Sequence, residues 1–502
     1  MTPDMLLRRV AGLSSAATIG SSIAWLQQNF AASGSVTSEP PPLPRGARVV
    51  VVGGGIAGVT AAHEIGRRGY RVRVIEESAH ICSESSASYG NAGTLGITRP
   101  NTLDSTAALS AMVRGVLGAA RDGTSTATGG VFFDPATLTD PLFLRWAVCW
   151  LRTLVSTAPL CWRELNAASQ DATFRVAAAE GLTAAAGMRV DGRLTLSSAA
   201  PHAPGPTVAA ARPPDGSIDG VMRAREPHVQ LVAPPDARVA VATVTAEDGQ
   251  GSCELFTRGL AARAVARFGV VLEPSTRATR LLTDPATGGV CGVVTEGGAV
   301  YAAEAVVLAN GARVAPLAAT AGVYVPVQPL RGYSVSATAT ATSVQQHIIY
   351  SDVHLYVTRL PTSAGDTLRF TCYGEMVPAS APTPPSALLQ ARLRALVEAQ
   401  IPNVCSLCDW AHAVEWHGDR PLTPDAYPLA GATRVPGLYL HCGHSFNGWR
   451  DACLSARVLG EVLAGPETGA EAAPLPDSPS ALRLASRVYS PRRFQPWPAW
   501  PG

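Results

Sequence analysis

The stretch from Arg48 to Glu77 constrains this chain more than any other. Val49 to Val52 is an unbroken β-branched run, the pattern of a strand buried on both faces of a parallel sheet, and glycines begin where it stops. Gly53, Gly55 and Gly58, in Gly-x-Gly-x-x-Gly spacing, leave bare backbone where a pyrophosphate must come close. A helix opening there offers unpaired N–H groups and the positive end of its dipole. The spacing predicts that helix to about Arg68, with Ala61, Ala62 and Ile65 facing the sheet and Gly69 ending it. A second strand, Tyr70 to Ile75, then delivers Glu76 about twenty residues beyond the glycines, where a ribose-binding acid is expected. A glycine turn in an ordinary βαβ unit shares part of this pattern. The full order of strand, turn, helix, strand and acid favours a dinucleotide site without choosing which dinucleotide. Glu77 is the alternative acid if the strand runs one residue longer.

A chain of 502 residues exceeds one core's usual size, so two structural domains are expected, and 47% hydrophobic residues can fill them. The net charge of +2 creates no strong field, so nucleic acid is not expected as a partner. There is no lysine: all 40 basic residues are arginines. Schiff-base chemistry, pyridoxal phosphate and a Walker-type phosphate loop each need the lysine this chain does not have. Ten scattered cysteines do not resemble a secreted disulfide framework. Cys405-Ser-Leu-Cys408 has no partner pair at zinc spacing, so no metal site is assigned.

Residues 1–45 read as a targeting and linker segment. Arg8 and Arg9 precede an Ala/Ser/Gly-rich run with Asp4 as its acid, and Glu39-Pro-Pro-Pro-Leu-Pro follows as a stiff linker. A mitochondrial presequence is the first expectation; a cytoplasmic or membrane-associated protein, with Val10 to Trp25 as a weak anchor, is the alternative. Residues 466–502 read as a poorly ordered Pro/Ser/Arg-rich tail.

Between these ends, Ser85 to Gly96 is a polar, glycine-rich loop at the carboxyl edge of the sheet. Residues 109–188 are predicted helical, with Trp146, Trp150, Leu151, Leu154 and Leu165 as core faces. Residues 201–220 and 378–385 read as loops without catalytic content. Cys253 to Phe268 is expected as a helix and Val270 to Glu273 as a strand. Gly289–Thr295 and Val300–Leu308 are expected as a hairpin leading into Asn310-Gly311, a second backbone approach to the nucleotide. Arg359 ends a β-rich run; without lysine, a buried substrate carboxylate must be gripped by arginine's planar fork, although a solvated surface charge is the plainer account of one strand-end arginine. Strand Leu438 to Cys442, the turn at Gly443 and a helix through Leu463 place another helix N-terminus at the same sheet edge.

Taken together, these segments resemble the flavin-dependent D-amino-acid oxidase superfamily, and within it the D-amino-acid dehydrogenases of the bacterial small-subunit type. The likeness is carried by Val-Val-Gly-Gly-Gly-Ile-Ala-Gly58, Ser88-Tyr-Gly-Asn-Ala-Gly93, Cys253-Glu-Leu-Phe-Thr257, Pro329-Leu-Arg-Gly-Tyr-Ser334, Thr358-Arg359, Arg420-Pro-Leu-Thr-Pro-Asp425, and Gly443-His444 through Gly448-Trp449. Tyr89-Gly90, where members often carry two small residues, and Ser445-Phe-Asn447, in place of a smaller sequence, depart from it.

The resemblance implies an α/β fold, α+β overall: a Rossmann-like FAD-binding domain from residues 46–100, 241–325 and 415–465, and a mixed-sheet substrate-binding domain from 101–240 and 326–414. It implies FAD held at its pyrophosphate by Gly53, Gly55 and Gly58 and at its ribose by Glu76, with Ser88, Asn91, Gly93 and Gly311 lining the cofactor. Gly443, His444, Asn447, Gly448 and Trp449 would lie against the flavin ring. The expected reaction is oxidative deamination of a D-amino acid, with Arg359 anchoring its carboxylate, Tyr333 adding a hydroxyl, His444 at the flavin, and no protein base. A quinone or oxygen would take the electrons, and peripheral membrane association is the accompanying expectation. Oxidation of glycine, sarcosine or proline-type amines is the neighbouring alternative; a flavin-binding assembly protein without turnover is the distant one.

Overall fold

The computed structural model describes residues 41–97, 103, 109, 112, 113, 115, 116, 131–154, 162–197, 218–230, 241–465 and 479–494. The expectations for residues 1–40 and 201–217 lie outside these. No helix among the described residues is long and apolar enough to cross a membrane.

A six-stranded sheet carries the opening motif, in the order β18 (Leu429–Ala432), β19 (Leu438–Cys442), β12 (Ala305–Leu308), β1 (Arg48–Val52), β2 (Arg71–Ile75), β8 (Val271–Glu273). All neighbours pair in parallel except β18 with β19. The apolar run of β1 is unbroken because both its faces are covered. Val49 and Val51 pack with Ala61, Ala62 and Ile65 of α1 (Ile56–Arg67), while Val50 and Val52 pack with Leu308 and Leu440 on the other side. Fully burying each such side chain is worth about 1.5–3 kcal/mol. Gly69 leaves the helix at φ +85°, a turn other residues rarely make.

The second sheet has eight strands in the order β17 (Val414–Leu422), β13 (Gln328–Thr338), β16 (Gly365–Met376), β15 (Leu355–Thr362), β14 (His347–Tyr350), β5 (Arg193–Ser197), β6 (Val241–Thr245), with β4 (Val131–Phe133) beside β16. Its core includes Tyr333, Val335, Phe370 and Leu393, the last from a helix over Ala387–Gln400. A three-stranded sheet, β11 (Val300–Ala302), β10 (Val290–Thr295) and β9 (Ala278–Thr283), and a two-stranded one, β3 (Thr94–Leu95) with β7 (Gly249–Gln250), complete the pairing among described residues.

Several expectations change. The run Val300–Leu308 breaks at Ala303-Glu304, so β11 stays in the small sheet while β12 enters the parallel one. Strand β17 pairs along β13, so a division at residue 415 cuts a strand of the second sheet. Within 109–188, β4 interrupts the helical reading, and Leu151 is 43% exposed although Trp146 and Trp150 are buried. Described residues of the tail are ordered into the fold: a helix spans Pro479–Tyr489, Tyr489 is buried, and Arg493 pairs with Asp425 at 2.6 Å.

Candidate functional site

A cavity of about 880 Å³ runs from the carboxyl ends of the parallel sheet across the face of the second sheet. Its first end is the glycine turn. A Cβ on Gly58 would lie 1.8 Å from the Gly53 carbonyl oxygen, and one on Gly53, already at φ +105°, would lie 2.8 Å from that of Ala309. Glycine is therefore required for β1, α1 and the 309–310 backbone to meet. Glu76 leaves β2 and folds into this turn: one carboxylate oxygen accepts from the Gly54 N–H at 2.6 Å and the other from the Ser78 N–H at 2.8 Å. Glu76 also lines the cavity. Gly311, at φ +58° with open space where a Cβ would point, is glycine for its backbone angle.

The 85–93 loop also lines the cavity, and its polar side chains hold its own shape. The Ser88 hydroxyl accepts from the Ile56 N–H at 3.0 Å, taking one unpaired donor of α1. Asn91 accepts from the Gly93 N–H at 2.8 Å and donates to the Ser88 carbonyl at 3.2 Å. Buried Arg369 braces the loop from behind through the carbonyls of Tyr89 and Asn91. Gly90 is glycine for a steric reason: a Cβ there would stand 2.2 Å from the indole of Trp416, whose N–H is bound to the Glu84 carbonyl at 2.6 Å.

A further wall of the cavity is the turn after β19 and the helix over Gly448–Ala464. Gly443 is at φ +69° with a Cβ position 2.5 Å from Thr423. The Ser445 N–H bonds the Pro421 carbonyl at 2.9 Å, which stitches this turn to the end of β17. Asn447, Gly448 and Trp449 all line the cavity. The buried Trp449 indole N–H has no acceptor among the described residues. His444 is 3% exposed, and burial pushes its pKa down to about 3, so its ring is neutral.

The structure separates two predicted residues from this cavity. In β15 the side chains alternate: Thr358 donates to the Ala92 carbonyl at 2.9 Å and Leu360 sits at Gly93, so Arg359 between them faces away. It ends in an ion pair with Asp366 at 2.6 Å, on the outer face. Tyr333 is fully buried, donating to Glu375 at 2.5 Å and accepting from the Ser386 N–H at 2.9 Å. Neither lines the cavity.

Arg420 does, although sequence reasoning placed it only within a motif. Its guanidinium reaches over β13, where a Cβ on Gly332 would collide with it. It has no hydrogen-bond or ion-pair partner among the described residues, and burial pushes its pKa down. The signal available was Gly332, diagonally across the ladder, two steps from the Leu330↔Arg420 pair. Around it stand Leu330, Met376, Val131 and Met112, with Tyr373 held at φ +59° and its phenol pushed up to about 12 by burial. Ala379, Ser380 and Pro382, from the loop read as uninvolved, also line this end.

A parallel sheet with a glycine turn at its switch point, set beside an arginine-bearing mixed sheet, defines a protein of the Rossmann-like dinucleotide-binding class. Residues 48–462 match the family described as "DAO: FAD dependent oxidoreductase", and the chain belongs to that family. It is similar to the D-amino acid dehydrogenases of Rhizobium rhizogenes, 28% identical over 85% of this chain and 98% of the relative, and of Sinorhizobium medicae, 30% identical over 83% and 96%. Its fold is shared with the L-amino acid deaminase of Proteus vulgaris (TM-score 0.58, 15% identity, 92% of this chain and all of the other). Glycine oxidase from Geobacillus kaustophilus shares it too (TM-score 0.55, 21% identity, 84% of this chain and 96% of the other). The protein is thus an FAD-dependent oxidoreductase acting on amino-acid CH–NH2 donors. The residues present fit FAD: a glycine turn with no room for a side chain at Gly53 or Gly58, a carboxylate at the end of β2, and a buried indole donor without an acceptor among the described residues.

Proposed function

We propose that the chain deaminates D-amino acids oxidatively, giving an imino acid that water converts to a 2-oxo acid and ammonia. The observation that carries this reading is Arg420, a partly buried guanidinium facing the cavity with no protein anion to neutralise it among the described residues. A substrate carboxylate supplies that anion through two parallel hydrogen bonds. Bound FAD supplies the hydride acceptor. The chain's own work is orientation. Arg420 fixes the carboxylate beside the turn that Ser445 ties to Pro421, and Leu330, Met376, Val131 and Met112 shelter the side chain from water. His444 is neutral, and Asp419, the carboxylate next to Arg420 in β17, is paired with Arg331 at 2.9 Å. A substrate amine that binds neutral needs no protein base. The relatives named D-amino acid dehydrogenase support the D series and a non-oxygen acceptor such as a quinone.

Anaerobic bleaching of the bound flavin tests the reading. D-Alanine, D-leucine, D-proline, L-leucine, glycine and sarcosine are mixed in turn with wild type and with Arg420→Ala. Bleaching by D-amino acids that weakens at least about thirtyfold in the variant is expected, the loss of a charged contact worth about 2 kcal/mol. Bleaching by L-leucine or sarcosine alone would refute the D series, and no bleaching by any amine would leave a flavin-binding assembly protein.

A further inference from the structure

Two histidines and a serine form a hydrogen-bonded chain behind the cavity wall that follows β19. His441 Nδ1 lies 2.8 Å from the carbonyl oxygen of Ala57 in the first turn of α1. His441 Nε2 lies 2.8 Å from Ser455 Oγ, and His444 Nε2 lies 2.9 Å from the same oxygen. Ser455 Oγ is also 2.7 Å from the Asp451 carbonyl, one turn back in its helix. The single hydroxyl proton of Ser455 decides what every other atom in the chain does.

A carbonyl only accepts, so His441 Nδ1 carries a proton. If the Ser455 hydroxyl pointed at Asp451, His441 Nε2 would also have to donate, making a fully buried imidazolium. Among the described residues no carboxylate compensates such a charge, because that of Asp451 is paired with Arg450 at 2.7 Å. A buried unpaired charge is the costlier state. If the hydroxyl pointed at His444, the oxygen and His441 Nε2 would face each other lone pair to lone pair at 2.8 Å. One arrangement leaves both rings neutral. Ser455 donates to His441 Nε2, and His444 Nε2 donates to Ser455. His444 Nδ1 is then bare, with no partner among the described residues, in a residue that lines the cavity.

We propose that Ser455 and His441 are positioning residues that lock His444 as a hydrogen-bond acceptor toward the cavity, where it receives an N–H of the bound flavin ring. That wall also carries donors: the opening N–H groups of the helix at Gly448 and the Trp449 indole. Donors alone match the ring's carbonyls; an acceptor among them matches the N–H between those carbonyls. The same lock ties ring recognition to α1, because it starts on the Ala57 carbonyl one residue inside the helix that meets the pyrophosphate.

Protein labelled with 15N at its ten histidines tests this, with His444→Gln used for assignment. His444 is expected to show a protonated Nε2 and a bare Nδ1 from pH 5 to 9 in the apoprotein, and its Nδ1 resonance should move when FAD is added. A protonated Nδ1, or an Nδ1 resonance indifferent to FAD, overturns the proposal without any variant. Ser455→Ala should let His444 populate the other tautomer and weaken FAD binding about tenfold, one hydrogen bond's worth, while Ser455→Thr restores both. A Ser455→Ala protein with wild-type tautomer and FAD affinity also overturns it.

Discussion

Replacing Tyr333 with phenylalanine separates a structural hydroxyl from a substrate-binding one. The phenol is fully buried and bonded twice, donating to Glu375 at 2.5 Å and accepting from the Ser386 N–H at 2.9 Å, where the helix over Ala387–Gln400 begins. Phenylalanine fits the same volume, so no cavity term arises. What is lost is a charge-assisted bond, about 1.5–3 kcal/mol, and the acceptor of a backbone donor, about 1 kcal/mol, for a total near 3 kcal/mol. The pH dependence has a definite sign. Burial raises the pKa of Glu375, and the Tyr333 hydroxyl opposes that rise by bonding the carboxylate. A carboxyl with a raised folded pKa contributes stability below its ordinary value and loses it as pH climbs through the raised one. Without the hydroxyl the rise is larger, so the deficit of Tyr333→Phe should be small near pH 4.5 and reach its full size near pH 8. Thermal unfolding of both proteins across that range measures it, alongside KM for a D-amino acid. A variant with wild-type Tm and a KM raised tenfold would refute the argument and return Tyr333 to the substrate.

Arg359→Ala should leave KM within about twofold and cost at most ~1 kcal/mol of stability, because an exposed pair with Asp366 is all it removes; a large rise in KM would contradict the outward orientation. Gly58→Ala puts a Cβ 1.8 Å from the Gly53 carbonyl oxygen and should yield folded but colourless protein, checked by circular dichroism and the flavin absorbance after purification. Glu226 is 1% exposed and burial pushes its pKa up to about 7, even though it accepts from the N–H groups of Gln345 and Gln346. Its contribution is therefore present below the ordinary carboxylate range and lost as pH rises toward 7, a swing of about 3 kcal/mol. Glu226→Gln should flatten the fall in Tm between pH 5 and pH 7.5; an unchanged slope would show that the carboxyl titrates normally.

The glycine-turn end of the cavity was legible in the sequence because its requirements are local. Gly53, Gly55, Gly58 and Glu76 lie within one strand, turn, helix, strand unit, and each is dictated by a backbone approach inside that unit or against Ala309. The substrate end depends on which face of a strand a residue occupies, and composition does not reveal that. Arg359 and Arg420 are both arginines on strands β15 and β17, yet Thr358 and Leu360 take the inner face of β15 and turn Arg359 outward. Arg420 reaches inward because Gly332, across the ladder on β13, leaves room for a guanidinium. Tyr333 follows the same logic: it takes the face of β13 that packs against the helix over Ala387–Gln400, where Glu375 and the Ser386 N–H occupy its hydroxyl. The order of residues 479–494 rests on contacts with Asp425 and Ser169, partners tens to hundreds of positions away.

The two ends of the cavity are not independent grips on a flexible frame. Helix α1 and the helix over Gly448–Ala464 touch directly: a Cβ on Gly460 would lie 2.7 Å from Arg68 Nε, and Ala61, Ala62 and Ile65 share a core with Leu459 and Leu463. Beside this seam buried Glu64 binds Arg68, one turn further along the same helix, at 2.7 Å, and burial there is offset by two arginines that hold its pKa below the usual carboxylate value. His441 adds a polar contact from β19 to Ala57. Close packing of this kind has few alternative arrangements, so the distance from the Gly53 turn to the Gly448 turn is set by helix contact and not by the loops that line the cavity. It follows that a larger residue at Gly460, remote from either turn, should weaken FAD binding as a change at Gly53 does, and should do so without altering the preference among amine substrates.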